Sequence, residues 1–62
     1  MNQKILRERT ERFLKTLGLP ISSFAKSIGI DRSTYYRWKN GEFNFGERRY
    51  YTIDEYLKKY GF

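Results

Sequence analysis

The chain has 62 residues and a formal charge of +6, from 13 Lys or Arg against 7 Asp or Glu. A chain of this length buries only about 60% of the surface that its unfolded form exposes, which disfavours a deep catalytic site. It contains no His and no Cys, so the usual acid–base residue at neutral pH, disulfides and the commonest zinc ligands are missing, and we expect no enzyme, no metal site and no cofactor.

The composition predicts one compact domain that spans residues 1–62. Hydrophobic residues make up 39% of the chain, which is too many for a disordered basic tail. The N-terminal stretch MNQKILRERTERF carries frequent charges and no apolar run. We therefore expect neither a secretion signal nor a membrane span, and a chain without Cys fits the reducing cytoplasm.

Gly and Pro divide the chain into segments of helix length, which predicts an all-α domain of four helices. We expect these helices at about residues 2–17, 21–28, 31–40 and 45–60. The first helix has a charged face, and Gly18 and Pro20 are suited to end it. Its other face is an apolar stripe at the helical period, formed by Leu6, Thr10, Phe13, Leu14 and Leu17.

The second and third helices are joined by a very short turn. Asp31 is a good N-cap for the third helix, and Gly41 is able to end it in a left-handed conformation. Two helices joined so tightly cross steeply, which requires a small residue at the crossing, a residue tolerant of positive φ in the turn, an apolar residue after it and two apolar residues three apart on the second helix. The sequence meets these conditions with Ala25, Gly29, Ile30, Tyr35 and Trp38.

The fourth helix is predicted to begin at Asn44, whose side chain caps it while Glu47 reaches back in a capping box. Its core-facing seam is Tyr50, Ile53, Leu57 and Tyr60. Residues 42–45 alternate polar and apolar and are also compatible with a short strand, but a single strand has no partner to pair with.

The positive charge is concentrated in the first two thirds of the chain. Residues 1–20 carry five basic and two acidic side chains, residues 21–41 carry four and one, and residues 42–62 carry four of each. We expect Arg7, Arg9, Arg12 and Lys15 to lie on a solvated face of the first helix. A basic surface of this kind indicates a polyanionic partner, nucleic acid first and an acidic membrane or protein second.

The segment from Ile21 to Gly41 resembles the helix-turn-helix of the phage repressor family, the Cro/CI-like or XRE-type domains. In that family an Asn-Gly pair commonly follows the recognition helix, as Asn40-Gly41 does here, and further helices pack back on the core. The resemblance covers about residues 18–60. It implies a sequence-specific double-stranded DNA-binding transcriptional regulator, a small repressor of bacterial or mobile-element origin, acting as a homodimer on a near-palindromic site.

Helical geometry and the resemblance indicate the same base-reading residues. Tyr35 and Trp38 define the buried side of the helix at 31–40, so the opposite side is exposed. The resemblance implies that this exposed side enters the DNA major groove. The expected base readers are Arg32, Ser33, Tyr36 and Arg37. The expected contacts to the DNA backbone are Ser22 and Ser23 through free amides, and Lys26, Asn40, Asn44 and Arg48.

Three alternatives stay open at this stage. The fold also suits a protein-binding adapter or an antitoxin, which would dock a partner through the third helix or through Tyr56, Tyr60 and Phe62. It also suits an architectural, excisionase-like protein that bends DNA. Tyr51 points away from the core seam and is a candidate dimer contact.

Overall fold

The computed structural model describes residues 1–62. It contains four helices and no strand: α1 Gln3–Leu17, α2 Ile21–Ile28, α3 Arg32–Lys39 and α4 Glu47–Lys59. The predicted all-α class is confirmed, and each helix begins and ends within two residues of its expected bounds. No helix combines the length and the apolar character that crossing a membrane requires.

Two of the four helix starts are capped by a side chain. Asn2 accepts a hydrogen bond from the Ile5 amide at 3.0 Å, and Asp31 accepts one from the Thr34 amide at 2.8 Å, as expected. The predicted capping box at Asn44 is wrong. Helix α4 begins at Glu47 after Gly46, with no side-chain cap, so Glu47 is too close to the helix start to reach back across it.

The core lies where α1 packs on α4 and α2 packs on α3 and α4. Two residues expected in it are not buried: Leu17 is 46% exposed and Tyr60 is 51% exposed. Leu17 is the last residue of α1 and Tyr60 follows α4, so both lie at helix ends, where a side chain is more easily exposed. The buried hydrophobic cluster is Leu6, Phe13, Leu14, Phe24, Ile28, Tyr35, Trp38, Phe45, Tyr50, Ile53 and Leu57.

Two arginines of α1 are structural, which corrects the expectation of a solvated face. Arg7 donates to the carbonyls of Trp38 at 2.6 Å and Phe43 at 2.9 Å. Arg9 donates to the Asp54 carboxylate at 2.6 Å and to the carbonyl of Phe62 at 2.7 Å. Both guanidinium groups therefore join α1 to segments that are distant in sequence. Arg12 and Lys15 are exposed, as expected.

Candidate nucleic-acid interface

The turn between α2 and α3 depends on Gly29, which has a left-handed φ of 80°. The Ile30 amide donates to the Ala25 carbonyl at 2.9 Å and the Gly29 amide donates to the Lys26 carbonyl at 3.2 Å. These two bonds form a Schellman motif, in which a residue with positive φ ends a helix and reverses the chain. Ala25 is 1% exposed, which lets the two helices approach closely. The turn therefore sets the angle at which α3 leaves α2.

Arg49 supports this turn from α4, and the sequence pattern does not predict it. Its Nη1 donates to the carbonyl of Ile28, the last residue of α2. The guanidinium satisfies one of the carbonyls that a helix end leaves without a partner. Its partner is 21 residues away in sequence, so no local signal distinguishes Arg49 from its neighbour Arg48, which is exposed.

Helix α3 has a buried side and an exposed side. Tyr35 is 2% exposed and Trp38 is fully buried, and Trp38 Nε1 donates to the Gln3 side chain at 2.9 Å. Burial raises the pKa of Tyr35 to about 12, with a smaller contribution from the Glu11 charge, so its hydroxyl stays protonated. The structure brings the four expected base readers together on the exposed side: Arg32, Ser33, Tyr36 and Arg37.

The N-terminal end of α3 is ordered by Asp31. Its carboxylate accepts hydrogen bonds from the Thr34 amide at 2.8 Å and from the Ser33 hydroxyl at 3.1 Å. The hydrogen bonds from Thr34, and then the one from Ser33, hold the pKa of Asp31 below its usual range. The Ser33 hydroxyl proton is therefore directed at Asp31, and its oxygen remains available as an acceptor.

The C-terminal end of α3 holds Arg37. Its Nε lies 3.6 Å from Glu42 Oε1, and its Cζ lies 5.6 Å from the centre of the Phe43 ring. The Arg37 side chain is 63% exposed, and its two Nη groups donate no hydrogen bond within the protein. Glu42 thus lies at the Nε edge of the guanidinium and the Phe43 ring at one of its faces, while its outer edge is open.

The residues expected to contact the DNA backbone differ in their surroundings. Ser22, Ser23 and Lys26 lie exposed on α2. The Ser22 amide donates to no protein group, since Pro20 precedes α2 without a side-chain cap. The Ser23 amide is not free, which corrects the expectation, because it donates to the Pro20 carbonyl at 3.1 Å. Asn40 is exposed at the end of α3.

The other two expected backbone contacts lie after α3. Asn44 is exposed, its Oδ1 accepts a hydrogen bond from Arg7 at 2.9 Å, and its amide NH₂ is free to donate to a phosphate. Arg48 lies exposed in the first turn of α4. The two shallow grooves beside it are lined by Gly46 and residues of α4, and no side-chain hydrogen bond or ion pair joins Arg48 to α3.

Two helices joined across a left-handed glycine, with the polar side of the second helix exposed, define a helix-turn-helix domain. The chain belongs to the helix-turn-helix family of the Cro/CI type, which matches residues 11–60. Domains of this family bind DNA and are typically not enzymes. Searches among curated proteins and among solved structures find no match to this chain.

Proposed function

We propose that the protein is a sequence-specific regulator of transcription, a small repressor of bacterial or mobile-element origin. The observation that carries this proposal is the exposed side of α3, which presents Arg32 and Arg37 on a helix without an acidic residue. Such a surface is attracted to the DNA backbone and carries side chains suited to reading base edges. The protein then acts on the nucleoid, in the cytoplasm.

In the proposed complex α3 lies in the major groove. Arg32 and Arg37 each pair with guanine O6 and N7, a contact that contributes about 1 to 3 kcal/mol of discrimination against a wrong base. Tyr36, which is 42% exposed, contacts a thymine methyl group. Ser33 accepts a hydrogen bond from a base through its hydroxyl oxygen.

The DNA backbone is contacted from both sides of α3. The free Ser22 amide and the Ser23 side chain lie at the uncapped start of α2, where the helix dipole attracts a phosphate. Lys26, Asn40, the amide NH₂ of Asn44, and Arg48 add further contacts. Their counterion release makes binding weaken steeply as the salt concentration rises.

We further propose that two copies act together on a near-palindromic site. A two-fold dimer places its recognition helices about 34 to 36 Å apart in successive major grooves. Tyr51 is 45% exposed on α4 and is our candidate contact between the copies.

The structure disfavours one route to a protein-binding adapter, the docking of a partner through the aromatic C-terminal end. The rings of Tyr56, Tyr60 and Phe62 lie 5.4 to 5.6 Å from the ring of Phe13. Tyr56 and Phe62 are therefore partly buried within the domain, while Tyr60 remains 51% exposed. An affinity for random duplex that stays flat between low and physiological salt would favour the adapter over the regulator.

The test begins with selection of bound duplexes from a random pool, which identifies the site and its symmetry. Gel-shift titrations then compare the selected and a random duplex. We expect Arg37→Ala to weaken binding to the selected site about 5- to 150-fold, with little change on random DNA. Arg48→Ala should weaken both alike and lower the salt slope by about 1.

Arg12→Ala is the matched control, since Arg12 is an exposed arginine outside the proposed interface. It should leave the ratio of the two affinities unchanged. Equal losses on both duplexes for Arg37→Ala would show that Arg37 does not read a base.

A further inference from the structure

All four helices end in the same backbone hydrogen bond. Helix α3 differs from the other three in the side chains of the two residues that this bond joins. In each case a residue two or three positions past the last helical residue donates its amide to the carbonyl five residues earlier, at 2.9 to 3.0 Å. A hydrophobic contact between these two residues normally accompanies this motif. Three helices have hydrophobic residues at these two positions: Leu19 and Leu14, Ile30 and Ala25, and Phe62 and Leu57. Helix α3 instead pairs Glu42 with Arg37.

The motif at the end of α3 brings Glu42 to Arg37 through the backbone. The Glu42 amide donates to the Arg37 carbonyl at 3.0 Å, and Gly41 between them has a φ of 80°. The two side chains therefore leave the backbone at neighbouring points, and Glu42 Oε1 lies 3.6 Å from Arg37 Nε. The Phe43 ring is a second neighbour of the guanidinium, and Arg37 Cζ lies 5.6 Å from the centre of that ring.

The ion pair between Arg37 and Glu42 contributes little to the stability of the fold. The Arg37 and Glu42 side chains are 63% and 53% exposed, and ion pairs this exposed add little to the stability of a protein. A carboxylate next to the recognition helix also repels the phosphates of DNA. Glu42 thus weakens the attraction of this surface for DNA. Any favourable effect of Glu42 on DNA binding therefore acts through the position of the Arg37 side chain.

We propose that Glu42 is a positioning residue that determines specificity, because it holds the Arg37 guanidinium by its Nε edge and leaves both Nη groups for a guanine. This inference rests on the proposed base-reading role of Arg37. An arginine side chain that no neighbour restrains can contact either base edges or phosphates, and its phosphate contacts strengthen binding to any sequence. An arginine that is already held in its reading position loses less conformational entropy on meeting guanine and cannot turn as readily to a phosphate.

The Glu42 carboxylate has two separate effects on DNA binding, one on affinity and one on specificity. Its charge lowers the affinity for every duplex, while its hold on Arg37 favours the duplex with guanine at the matching position. A residue that served only the fold would change both affinities together.

The experiment measures affinity for the selected duplex and for a random duplex in five variants of the full chain, at two salt concentrations. Glu42→Gln removes the charge and keeps the shape, so random-duplex affinity should rise while the ratio of selected to random affinity falls. We expect that fall to be about 2- to 5-fold, the range that an exposed ion pair can supply. Glu42→Asp keeps the charge but shortens the reach, so the ratio should fall without a gain on random DNA.

Glu55→Gln on α4 is the matched control, because Glu55 is exposed and forms no ion pair. It removes one negative charge and should leave the ratio unchanged. A double variant, Arg37→Ala with Glu42→Gln, should show the same ratio as Arg37→Ala alone. Thermal unfolding should give all the Glu42 variants the melting temperature of the parent chain within a few degrees.

The outcomes separate the two proposals. If Arg37→Ala lowers the ratio but neither Glu42 variant does, the role of Glu42 is wrong and the base-reading role of Arg37 stands. A ratio that rises in Glu42→Gln would mean that Glu42 competes with guanine for Arg37, which also overturns the proposal. If Arg37→Ala leaves the ratio unchanged, the base-reading role fails, and the role of Glu42 fails with it.

Discussion

Asp54 is the one buried acidic residue of the domain, with 6% of its surface exposed. Its carboxylate accepts a 2.6 Å hydrogen bond from Arg9 and lies 3.1 Å from Lys58 Nζ. The hydrogen bond from Arg9 is the main cause that holds the pKa of Asp54 below its usual range, and Lys58 adds to it against the effect of burial. At the residue scale, one carboxylate thus joins α1 to α4 as a charged group.

Because the pKa of Asp54 is lowered by folding, its stabilising effect is complete above the ordinary Asp pKa of about 4 and disappears as the pH falls through the lowered value. Asp54→Asn leaves the largely buried Arg9 without its partner and should reduce the free energy of unfolding by about 2 to 3 kcal/mol at pH 7. Urea unfolding at pH 7, 5 and 3 measures this difference, which should shrink below pH 4. Glu55→Gln serves as the control, and a difference for Asp54→Asn that is constant with pH would contradict the account.

At the scale of elements, the helix-turn-helix is held by its turn and by a side chain from another helix. Gly29 has a φ of 80°, and a Cβ at this position would lie 3.2 Å from Arg49 Nη1. Arg49 is the group that donates to the end of α2. A side chain at Gly29 is therefore opposed by the left-handed backbone conformation, and its Cβ would also require a small shift of the Arg49 guanidinium.

Gly29→Ala should destabilise the domain by about 1 to 2 kcal/mol, since an L-residue in the left-handed region costs this amount. For a domain of this size each kcal/mol lowers the melting temperature by about 4 to 8 °C. Gly46→Ala is the control, because Gly46 has a φ of −68° and no atom within 4 Å of the added Cβ. Equal melting temperatures for the two variants would contradict the role of the turn.

At the scale of the whole molecule, side chains of α1 form hydrogen bonds that hold the C-terminal end of α3 and the segment after it. The Gln3 side chain accepts from Trp38 Nε1 at 2.9 Å and bonds the Phe45 backbone through both its oxygen and its nitrogen. Arg7 donates to the carbonyls of Trp38 and Phe43, with its Cζ 5.4 Å from the centre of the Trp38 ring. Two polar residues of α1 thus fix the segment that follows α3.

Arg7→Lys should lose most of these contacts, because an ammonium group cannot reproduce the planar fork of a guanidinium. We expect the free energy of unfolding to fall by about 1.5 to 3 kcal/mol. Amide hydrogen exchange should also become faster at Gly41 and Glu42, near the carbonyls that Arg7 holds. Arg12→Lys makes the same exchange at an exposed site and should change neither measurement, and a similar result for both variants would rule out this role of Arg7.

The local sequence carries most of the fold. Gly18, Gly29 and Gly41 have the positive φ that the pattern requires, and Asp31 caps α3 as predicted. These features depend on neighbouring residues, so they can be recognised without tertiary structure. The helical period also predicts which side of α3 is exposed, because Tyr35 and Trp38 define its buried side.

The sequence by itself therefore determined the four helices, the helix-turn-helix and the exposed side of α3. Only the tertiary structure decided which charged residues are structural. The local sequence does not distinguish the structural arginines, Arg7, Arg9 and Arg49, from the exposed ones, Arg12 and Arg48. The structural arginines form hydrogen bonds to groups that are 31, 45 and 21 residues away in sequence. Periodicity describes which face of its own helix a residue lies on, whereas the partner of a long flexible cation depends on which distant carbonyl or carboxylate the packing brings within its reach.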